Sequence, residues 1–219
     1  MENRPRGNSM IIAFPTEYEA GELVSRLAGK HRSTINGVPC YRGAISGKNV
    51  SVIISGMGAA MAARRVRGVL AQEPADTLIL AGFAGALTVD LKKGQTFIVD
   101  ETILHTTDDV VDTPEKKHAL AQRTGCRLVD METAAVSRVA SAAKFLAIRA
   151  VSDEAHETVP VKILAHGYDQ TKGVTTPLRM TFYLATHPWQ LRKLMKFLSP
   201  LASVRHHLTD FIVSVIQNL

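Results

Sequence analysis

Short apolar segments alternate with segments of helical character along the first 153 residues, and this alternation limits the choice of fold more than any other feature. Residues 9–14, 48–55, 76–81 and 145–151 are apolar or alternating runs of strand length. Ala-rich or amphipathic segments separate most of them. Strands that alternate with helices build layered folds on a mostly parallel or mixed sheet. The sequence therefore predicts an α/β fold.

Helices and turns can be placed between these segments. Thr16 is expected to begin a helix that reaches about Ala28, with Glu19 completing a capping box. Residues 37–46 and 48–55 flank a Gly-Lys pair and predict a hairpin. The remaining predicted elements are a helix from the Ser55–Gly58 turn to about Gln72, a strand over 95–104, and helices over 114–123 and 130–143.

The alternation of strand and helix patterns ends after Asp153. Residues 154–175 are expected to form a loop with weak helix signals, and residues 176–218 are expected to be helical, with breaks at Pro188 and Pro200. No internal repeat or composition shift requires a second domain. We therefore predict a single domain over 1–219, with a flexible N-terminus at 1–8 and a helical C-terminal extension at 176–219.

Composition excludes several classes of protein. A chain of 219 residues, 46% hydrophobic and 21% charged, can bury one core without disulfides. No apolar run reaches the ~18 residues of a membrane span, and Pro15 interrupts the first one, so no signal peptide is expected. Cys40 and Cys126 are far apart, which favours a cytoplasmic chain with free thiols. The eight histidines lack metal-ligand spacing. We expect no metal, no organic cofactor and no nucleic-acid partner.

Polar and glycine-containing segments follow the predicted strands. They are Thr16–Glu19, Ser55–Gly58, Gly82–Ala86 and Ser152–Asp153, and the helix expected at Asp130–Glu132 adds further carboxylates. Ligands of open α/β sheets bind outside the carboxyl ends of the strands. Neither a P-loop nor a dinucleotide-binding motif is present. Glycine turns combined with carboxylates suit a polyhydroxylated ligand better than a polyphosphate.

Four motifs carry a family resemblance: SerGlyMetGlyAlaAla (55–60), GlyPheAlaGlyAlaLeu (82–87), ValAspMetGluThrAlaAlaVal (129–136) and IleArgAlaValSerAsp (148–153). Together they resemble the nucleoside phosphorylase and nucleosidase superfamily, over roughly residues 9–155. The resemblance implies a three-layer fold with a central mixed, twisted sheet flanked by helices. It also implies a bound purine nucleoside and cleavage of its N-glycosidic bond.

The resemblance also implies roles for individual residues. Glu132 would bind the ribose hydroxyls, Met131 would pack under the sugar, Asp153 would protonate the departing purine, and Glu19 would activate water. The substrate site would further include Ser55, Gly56, Gly82, Phe83 and Ser152. Breaking a ribosyl C–N bond builds positive charge on the sugar, which carboxylates stabilise. An acid at the end of a buried apolar strand suits protonation of the base.

Each of these residues also has a purely structural interpretation. Glu19 completes a capping box, and Glu17 competes with it for the role of base. Asp130 and Asp153 could cap helices, and Glu132 could interact only with the dipole of the helix it begins. The glycines could serve tight turns and helix–sheet packing alone.

The identity of the attacking group is a second open question. Leu80 and Phe83 stand where phosphate-using members of the superfamily tend to carry Arg and Ser, which favours water. Ser55 and the backbone amides of 56–58 could still hold inorganic phosphate as a co-substrate. The interval from Glu101 to Asp130 is shorter than the family usually has, so another subunit could complete the pocket. We expect a homo-oligomer, and a non-catalytic nucleoside-binding protein is the rival interpretation.

The C-terminal segment resembles the hopanoid-associated phosphorylase branch, which implies a lipid-linked adenosyl compound as an alternative substrate. Residues 189–198 combine Trp189 and other apolar residues with Arg192, Lys193 and Lys196. A basic amphipathic helix carrying Trp predicts peripheral contact with a membrane. The structural alternative is that its apolar face packs on the sheet or on a partner subunit.

Overall fold

A nine-stranded mixed sheet is the centre of the structure, a computed structural model that describes residues 9–140, 142–169 and 174–219. The flexible N-terminus expected at 1–8 lies outside the described residues. The strands are Met10–Phe14 (β1), Ala28–Ile35 (β2), Val38–Ile45 (β3), Lys48–Ile54 (β4), Thr77–Ala86 (β5), Thr96–Val99 (β6), Leu104–Thr106 (β7), Leu128–Asp130 (β8) and Lys144–Asp153 (β9). Tyr168–Asp169 (β10) and Val174–Thr175 (β11) form a separate two-stranded ladder.

Eight helices accompany these strands in the described parts of the chain. They are Glu17–Ser25 (α1), Ala59–Gln72 (α2), Pro114–Thr124 (α3), Thr133–Val139 (α4), Val161–Gly167 (α5), Pro177–Thr186 (α6), Trp189–Leu198 (α7) and Leu201–Asn218 (α8).

The centre of the sheet is parallel and antiparallel strands flank it, while β7 at one end of the sheet pairs in parallel with β8. β1 pairs in parallel with β4 on one side and with β5 on the other, and β5 pairs in parallel with β9. β2, β3 and β6 add antiparallel strands, and β8 pairs antiparallel with the last two residues of β5. The carboxyl ends of β1, β4, β5 and β9 therefore meet at one edge of the sheet.

Side chains of β1 alternate between two cores, as the period of a strand requires. Ile12 and Phe14 pack in the core that includes α1 and α8, whereas Ile11 and Ala13 pack in the core that includes α2 and α4. Helices therefore cover both faces of the sheet. The predicted three-layer α/β fold with a mixed central sheet is confirmed.

Several predicted boundaries are wrong. β2 was not expected, because its sequence AGKHRSTI is polar and the strand lies mostly exposed at the edge of the sheet. The glycine turn expected at 82–86 is instead the second half of β5. The strand expected at 95–104 divides into β6 and the start of β7, and the helix expected from Asp130 begins only at Thr133, because Leu128–Asp130 form β8.

The C-terminal segment divides into two parts with different environments. The predicted breaks at Pro188 and Pro200 are confirmed, since these residues precede α7 and α8. Within α8, the buried residues Leu201, Val204, Leu208, Ile212 and Ile216 face the sheet at helical spacing. α8 is therefore an integral layer of the core. α6 and α7 are largely exposed, and α5 lies in the segment for which a loop was expected. None of the described helices is both long and apolar enough to cross a membrane.

Candidate active site

β5 positions the candidate site because it lies between β1 and β9 and two of its glycines face functional side chains. Gly82 pairs in register with Arg149 of β9, and Gly85 pairs with Asp153 at the end of the same strand. A Cβ atom on Gly82 would lie 2.9 Å from both Arg149 Nη1 and Glu19 Oε1, and one on Gly85 would lie 3.1 Å from Asp153 Oδ2. Because glycine has no Cβ atom, these two positions leave room for the side chains of Arg149, Glu19 and Asp153.

Glu19 is buried at the start of α1 and is tied to β5. Its Oε1 accepts a hydrogen bond from the backbone N–H of Phe83 at 2.9 Å, and its Oε2 accepts one from the hydroxyl of Thr16 at 2.6 Å. Burial raises the pKa of Glu19, and these hydrogen bonds and the charge of Arg149 offset only part of that effect. Thr16 also caps the helix by accepting from Glu19 N. Glu17, the competing candidate, is exposed beside Arg32.

Arg149 and Asp130 form an ion pair with almost no exposure to solvent. Arg149 donates to Asp130 Oδ2 from Nε at 3.0 Å and from Nη2 at 2.5 Å. Asp130 also accepts from the backbone and hydroxyl of Thr133 and from the hydroxyl of Thr106. Burial opposes ionisation of Asp130, but the charge of Arg149 and these hydrogen bonds outweigh it and lower its pKa. Asp130 therefore both accepts from the first residue of α4 and fixes the guanidinium.

The remaining guanidinium nitrogen, Arg149 Nη1, is the feature that most clearly indicates a ligand. It is buried and has no hydrogen-bond partner within the described parts of the chain. Arg149 Nη1 and Glu19 Oε1 both lie beside Gly82, but they do not form a hydrogen bond with each other. A buried, unpaired guanidinium N–H is costly. An oxygen atom of a ligand or water held between Arg149 and Glu19 would satisfy both groups.

Glu132 lies at the N-cap position of α4, two residues after Asp130. Its Oε1 accepts from the backbone N–H of Gly58 at 2.7 Å. Burial raises the pKa of Glu132 to about 7, and the charges of Asp130 and Glu19 act in the same direction, against the charge of Arg149. Two acids two residues apart thus have pKa values displaced in opposite directions, because only Asp130 pairs directly with Arg149.

Asp153 is paired with a lysine that sequence reasoning did not single out. Lys117 of α3 has no exposed side-chain surface, and its Nζ donates to Asp153 Oδ2 at 2.5 Å. Nζ also donates to the carbonyl oxygens of Glu154 and Glu157. The hydroxyl of Ser152 donates to Asp153 Oδ1 at 2.7 Å. Asp153 is therefore one half of a buried ion pair.

Other predicted site residues have structural contacts of their own. The hydroxyl of Ser55 donates to the carbonyl oxygen of Phe14, so its proton is used within the sheet. Gly56 has φ +83°, and a Cβ there would lie 2.4 Å from the sulfur of Met61. Phe83 is half-buried and packs edge-on against Tyr18. Gly56 therefore serves the turn and its packing, one of the two interpretations left open by the sequence.

A cavity of about 1200 Å³ adjoins the site. It begins at Gly58 and Met131 and continues between α2, α3 and α5. Glu19, Glu132 and Asp153 do not line it, because each is only 5–6% exposed. Gly58 and Met131 are the residues next to Glu132 in space and in sequence, so the cavity reaches the site at this carboxylate.

The family model of the phosphorylase superfamily matches residues 9–111 and 102–176, which is most of the chain. The chain belongs to the phosphorylase superfamily. The resemblance carried by the four motifs is thereby confirmed.

Solved structures similar to this superfamily member are nucleosidases. One is the 5′-methylthioadenosine/S-adenosylhomocysteine nucleosidase of Neisseria meningitidis, at 18% identity and a TM-score of 0.70, with 97% of this chain and 100% of that chain covered. A Helicobacter pylori MTAN mutant with 5′-methylthioadenosine in its active site has 15% identity and a TM-score of 0.72, with 97% of this chain and 100% of that chain covered. The S-adenosylhomocysteine nucleosidase of Streptococcus pyogenes has 20% identity and a TM-score of 0.62, with 70% and 87% covered. At these identities the likeness shows the fold.

Arg149 and Lys117 are the site residues that sequence reasoning missed. Arg149 is the one charged residue in the predicted strand 145–151, and Lys117 shares the buried face of α3 with Leu120. A charged residue in an apolar pattern requires a buried partner. A charged residue within an apolar pattern was therefore the feature of the sequence that could have identified both Arg149 and Lys117.

Glu132→Gln should remove a pH dependence of folding stability. Glu132 keeps its proton up to about pH 7 in the folded protein, against a usual pKa of 4.5. Wild-type stability should therefore fall as the pH rises from 4.5 to 7. The Gln variant should be more stable than wild type by on the order of 3 kcal/mol at pH 8 and equally stable at pH 4.

Urea unfolding across this pH range measures the difference between the two proteins. Glu101→Gln is the matched control, because Glu101 is exposed, and its curve should run parallel to that of wild type. Parallel curves for Glu132→Gln as well would contradict the assigned pKa.

Proposed function

We propose that this protein cleaves the N-glycosidic bond of a purine nucleoside of the adenosyl type, with water as the attacking group. The observation that carries the proposal is the approach of Glu19 Oε1 and Arg149 Nη1 to the same point beside Gly82. One group is an acceptor and the other is a donor with no partner among the described residues. A water molecule bound to both would be oriented and could lose a proton to Glu19.

The chemistry of the bond supports this assignment. As the C–N bond breaks, positive charge develops on the ribose, and nearby carboxylates stabilise it. The raised pKa of Glu19 makes it a stronger base than an exposed glutamate while Arg149 favours its charged form. A base with a pKa closer to the working pH is the more effective one. The proton that leaves the water therefore has a suitable acceptor.

We assign Asp153 to the opposite side of the bond, where it would protonate the departing base. It lies beside Gly85, three residues beyond Gly82 along β5, or about 10 Å at the rise of a strand. Because Asp153 is paired with Lys117, the proton that the purine receives would originate on Lys117 Nζ: the ammonium gives a proton to Asp153 Oδ2, Asp153 passes a proton to the purine, and Lys117 is left as a neutral amine. Ser152 keeps the other carboxylate oxygen oriented.

Substrate binding is assigned to Glu132 and the adjoining cavity. The ribose hydroxyls would donate to Glu132, and Met131 would pack under the sugar. A substituent on the ribose 5′ carbon would extend past Gly58 and Met131 into the cavity of about 1200 Å³. This volume exceeds the roughly 300–1,000 Å³ of most small-molecule sites. Similar solved structures hold 5′-methylthioadenosine or methylthio-immucillin-A, which supports the adenosyl class.

A phosphate-dependent phosphorylase acting on a lipid-linked adenosyl compound is the second candidate. The unpaired Nη1 of Arg149 could bind a phosphate oxygen as well as water, and the cavity could admit a bulky apolar group. Two placements favour water: Leu80 is fully buried in the core beneath α2 and α4, and the hydroxyl of Ser55 donates to Phe14. Neither side chain is free to hold phosphate.

Release of free adenine from a panel of adenosyl compounds, with and without phosphate, tests the proposed activity. The rate should be independent of phosphate, and the sugar product should carry a free anomeric hydroxyl.

Glu19→Gln should lower turnover ~10²–10⁴-fold, as expected for loss of a general base. Glu17→Gln changes the exposed neighbouring acid and should leave turnover unchanged. Strict phosphate dependence would establish a phosphorylase, and no adenine release under either condition would contradict the proposed activity.

Asp153→Asn should reduce turnover ~10²–10⁴-fold with little change in nucleoside affinity, because the amide keeps the shape but has no transferable proton. Lys117→Met keeps the carboxylate and removes its cation, so kcat should fall more than KM rises. Circular dichroism and thermal unfolding establish that each variant is folded. Wild-type kcat in folded Lys117→Met would show that Lys117 only holds the turn at 154–157.

A further inference from the structure

The charge of the chain is distributed unevenly. Residues 170–209 contain six Lys or Arg and no Asp or Glu, whereas the remainder of the chain contains 20 of each sign. The whole formal net charge of +6 therefore belongs to this segment, which includes α6 and α7. Among these cations, Arg179, Arg192, Lys193 and Lys196 are exposed on the two helices.

Large apolar side chains are exposed on the same two helices. Leu178 and Phe182, one helical turn apart on α6, are 84% and 75% exposed, and Trp189 at the start of α7 is 64% exposed. Leu191 and Met195 are about half exposed. Large apolar side chains exposed in this number on two consecutive helices indicate an interaction site.

The spacing on α7 places its cations on one exposed face, and part of this face borders a cavity shared with residues 156–163. Trp189, Arg192, Lys193 and Lys196 are separated by three, four and seven residues and so share one face of the helix. Leu194 is buried on the opposite face, and Phe197 and Leu198 pack against the core that contains α8. The expectation that the apolar face of this helix packs on the body of the protein therefore holds for Leu194, Phe197 and Leu198, while Trp189 points away from it.

A column of stacked rings fixes the two helices relative to α5. Tyr183 stacks between His166 and His187 at centroid distances of 4.0 and 4.5 Å, and Trp189 meets His187 edge-on at 5.3 Å. Phe182 is adjacent to Tyr183 in the chain. The stacked rings therefore hold the segment that carries the exposed apolar residues in place. We call this region the α6–α7 surface. It comprises Leu178, Phe182, Trp189, Arg192, Lys193 and Lys196.

We propose that the α6–α7 surface binds the anionic face of a lipid bilayer, with its apolar side chains inserted at the interface. Cationic side chains around Trp and Phe are the combination that holds a helix at such a surface. Tryptophan favours the headgroup region because its ring is amphipathic. The proposal concerns binding alone and does not depend on the proposed nucleosidase activity.

Two other occupants fit the surface less well. A symmetric dimer would place the same patch of two copies face to face, so the cations of α7 would oppose one another without acidic partners from 170–209. Nucleic acid would attract the cations but would leave Leu178 and Phe182 exposed. An anionic bilayer complements both the charge and the apolar groups.

The fluorescence of Trp189, the single tryptophan of the chain, measures the interaction directly. Vesicles of phosphatidylcholine and phosphatidylglycerol should shift its emission to the blue and co-sediment with the protein. Vesicles of phosphatidylcholine alone should produce neither effect, and raised salt should reverse the binding. Absence of a blue shift with anionic vesicles would overturn the proposal.

Charge-reversal variants locate the binding surface. Replacing Arg192, Lys193 and Lys196 by Glu should weaken binding more than about 100-fold, because each cation near the surface contributes about 1 kcal/mol. The matched control replaces the exposed Lys30, Arg67 and Arg138 by Glu, with the same change in net charge, and should weaken binding far less. Equal losses in both variants would show a general charge effect and contradict the proposal.

Two further measurements separate the remaining outcomes. Leu178→Ser with Phe182→Ser should reduce vesicle binding while preserving thermal stability, since both side chains are exposed. Release of adenine from a soluble nucleoside should be unchanged in the α7 triple variant. A change in sedimentation velocity of the triple variant without vesicles would identify the surface as a contact between copies and overturn membrane binding.

Discussion

The buried ion pair of Arg149 and Asp130 is the interaction on which the rest of the site depends. A guanidinium in the middle of an apolar strand is tolerated only when its charge is paired. Asp130 accepts from two of the guanidinium nitrogens, and its own position is set by Thr133 and Thr106. The third nitrogen, Nη1, is thereby held beside Glu19. Because Arg149 faces Asp130 directly, it lowers the pKa of Asp130, whereas burial still raises that of Glu132 to about 7.

The sequence contained enough information for the layers of the fold and for several of the acids, but not for their pairing. Apolar runs predicted the central strands, and the glycine motifs marked the ligand edge of the sheet. β2 was missed because an exposed edge strand has no apolar period. β5 was cut short because Gly82 and Gly85 resemble turn residues, whereas the structure requires glycine there to admit Glu19, Arg149 and Asp153.

The two basic partners were missed for a related reason. Arg149 and Lys117 occupy positions that pattern alone assigns to the core, and their partners come from other elements 19 and 36 residues away along the chain. Tertiary structure decides such pairs. The C-terminal segment shows the same limit: helical spacing predicted helices on both sides of Pro200, but only the structure separates the buried α8 from the exposed α6 and α7.

The central claim is that Glu19 and Arg149 together hold the oxygen that attacks the sugar. A high-resolution crystal structure with a non-hydrolysable nucleoside analogue tests it most directly. The account predicts an ordered water within about 3.2 Å of both Glu19 Oε1 and Arg149 Nη1, on the face of the ribose opposite the base. Glu132 should accept from the ribose hydroxyls in the same structure. A nucleoside bound elsewhere, or Arg149 Nη1 paired with Glu19 itself and no space between them, would contradict the account.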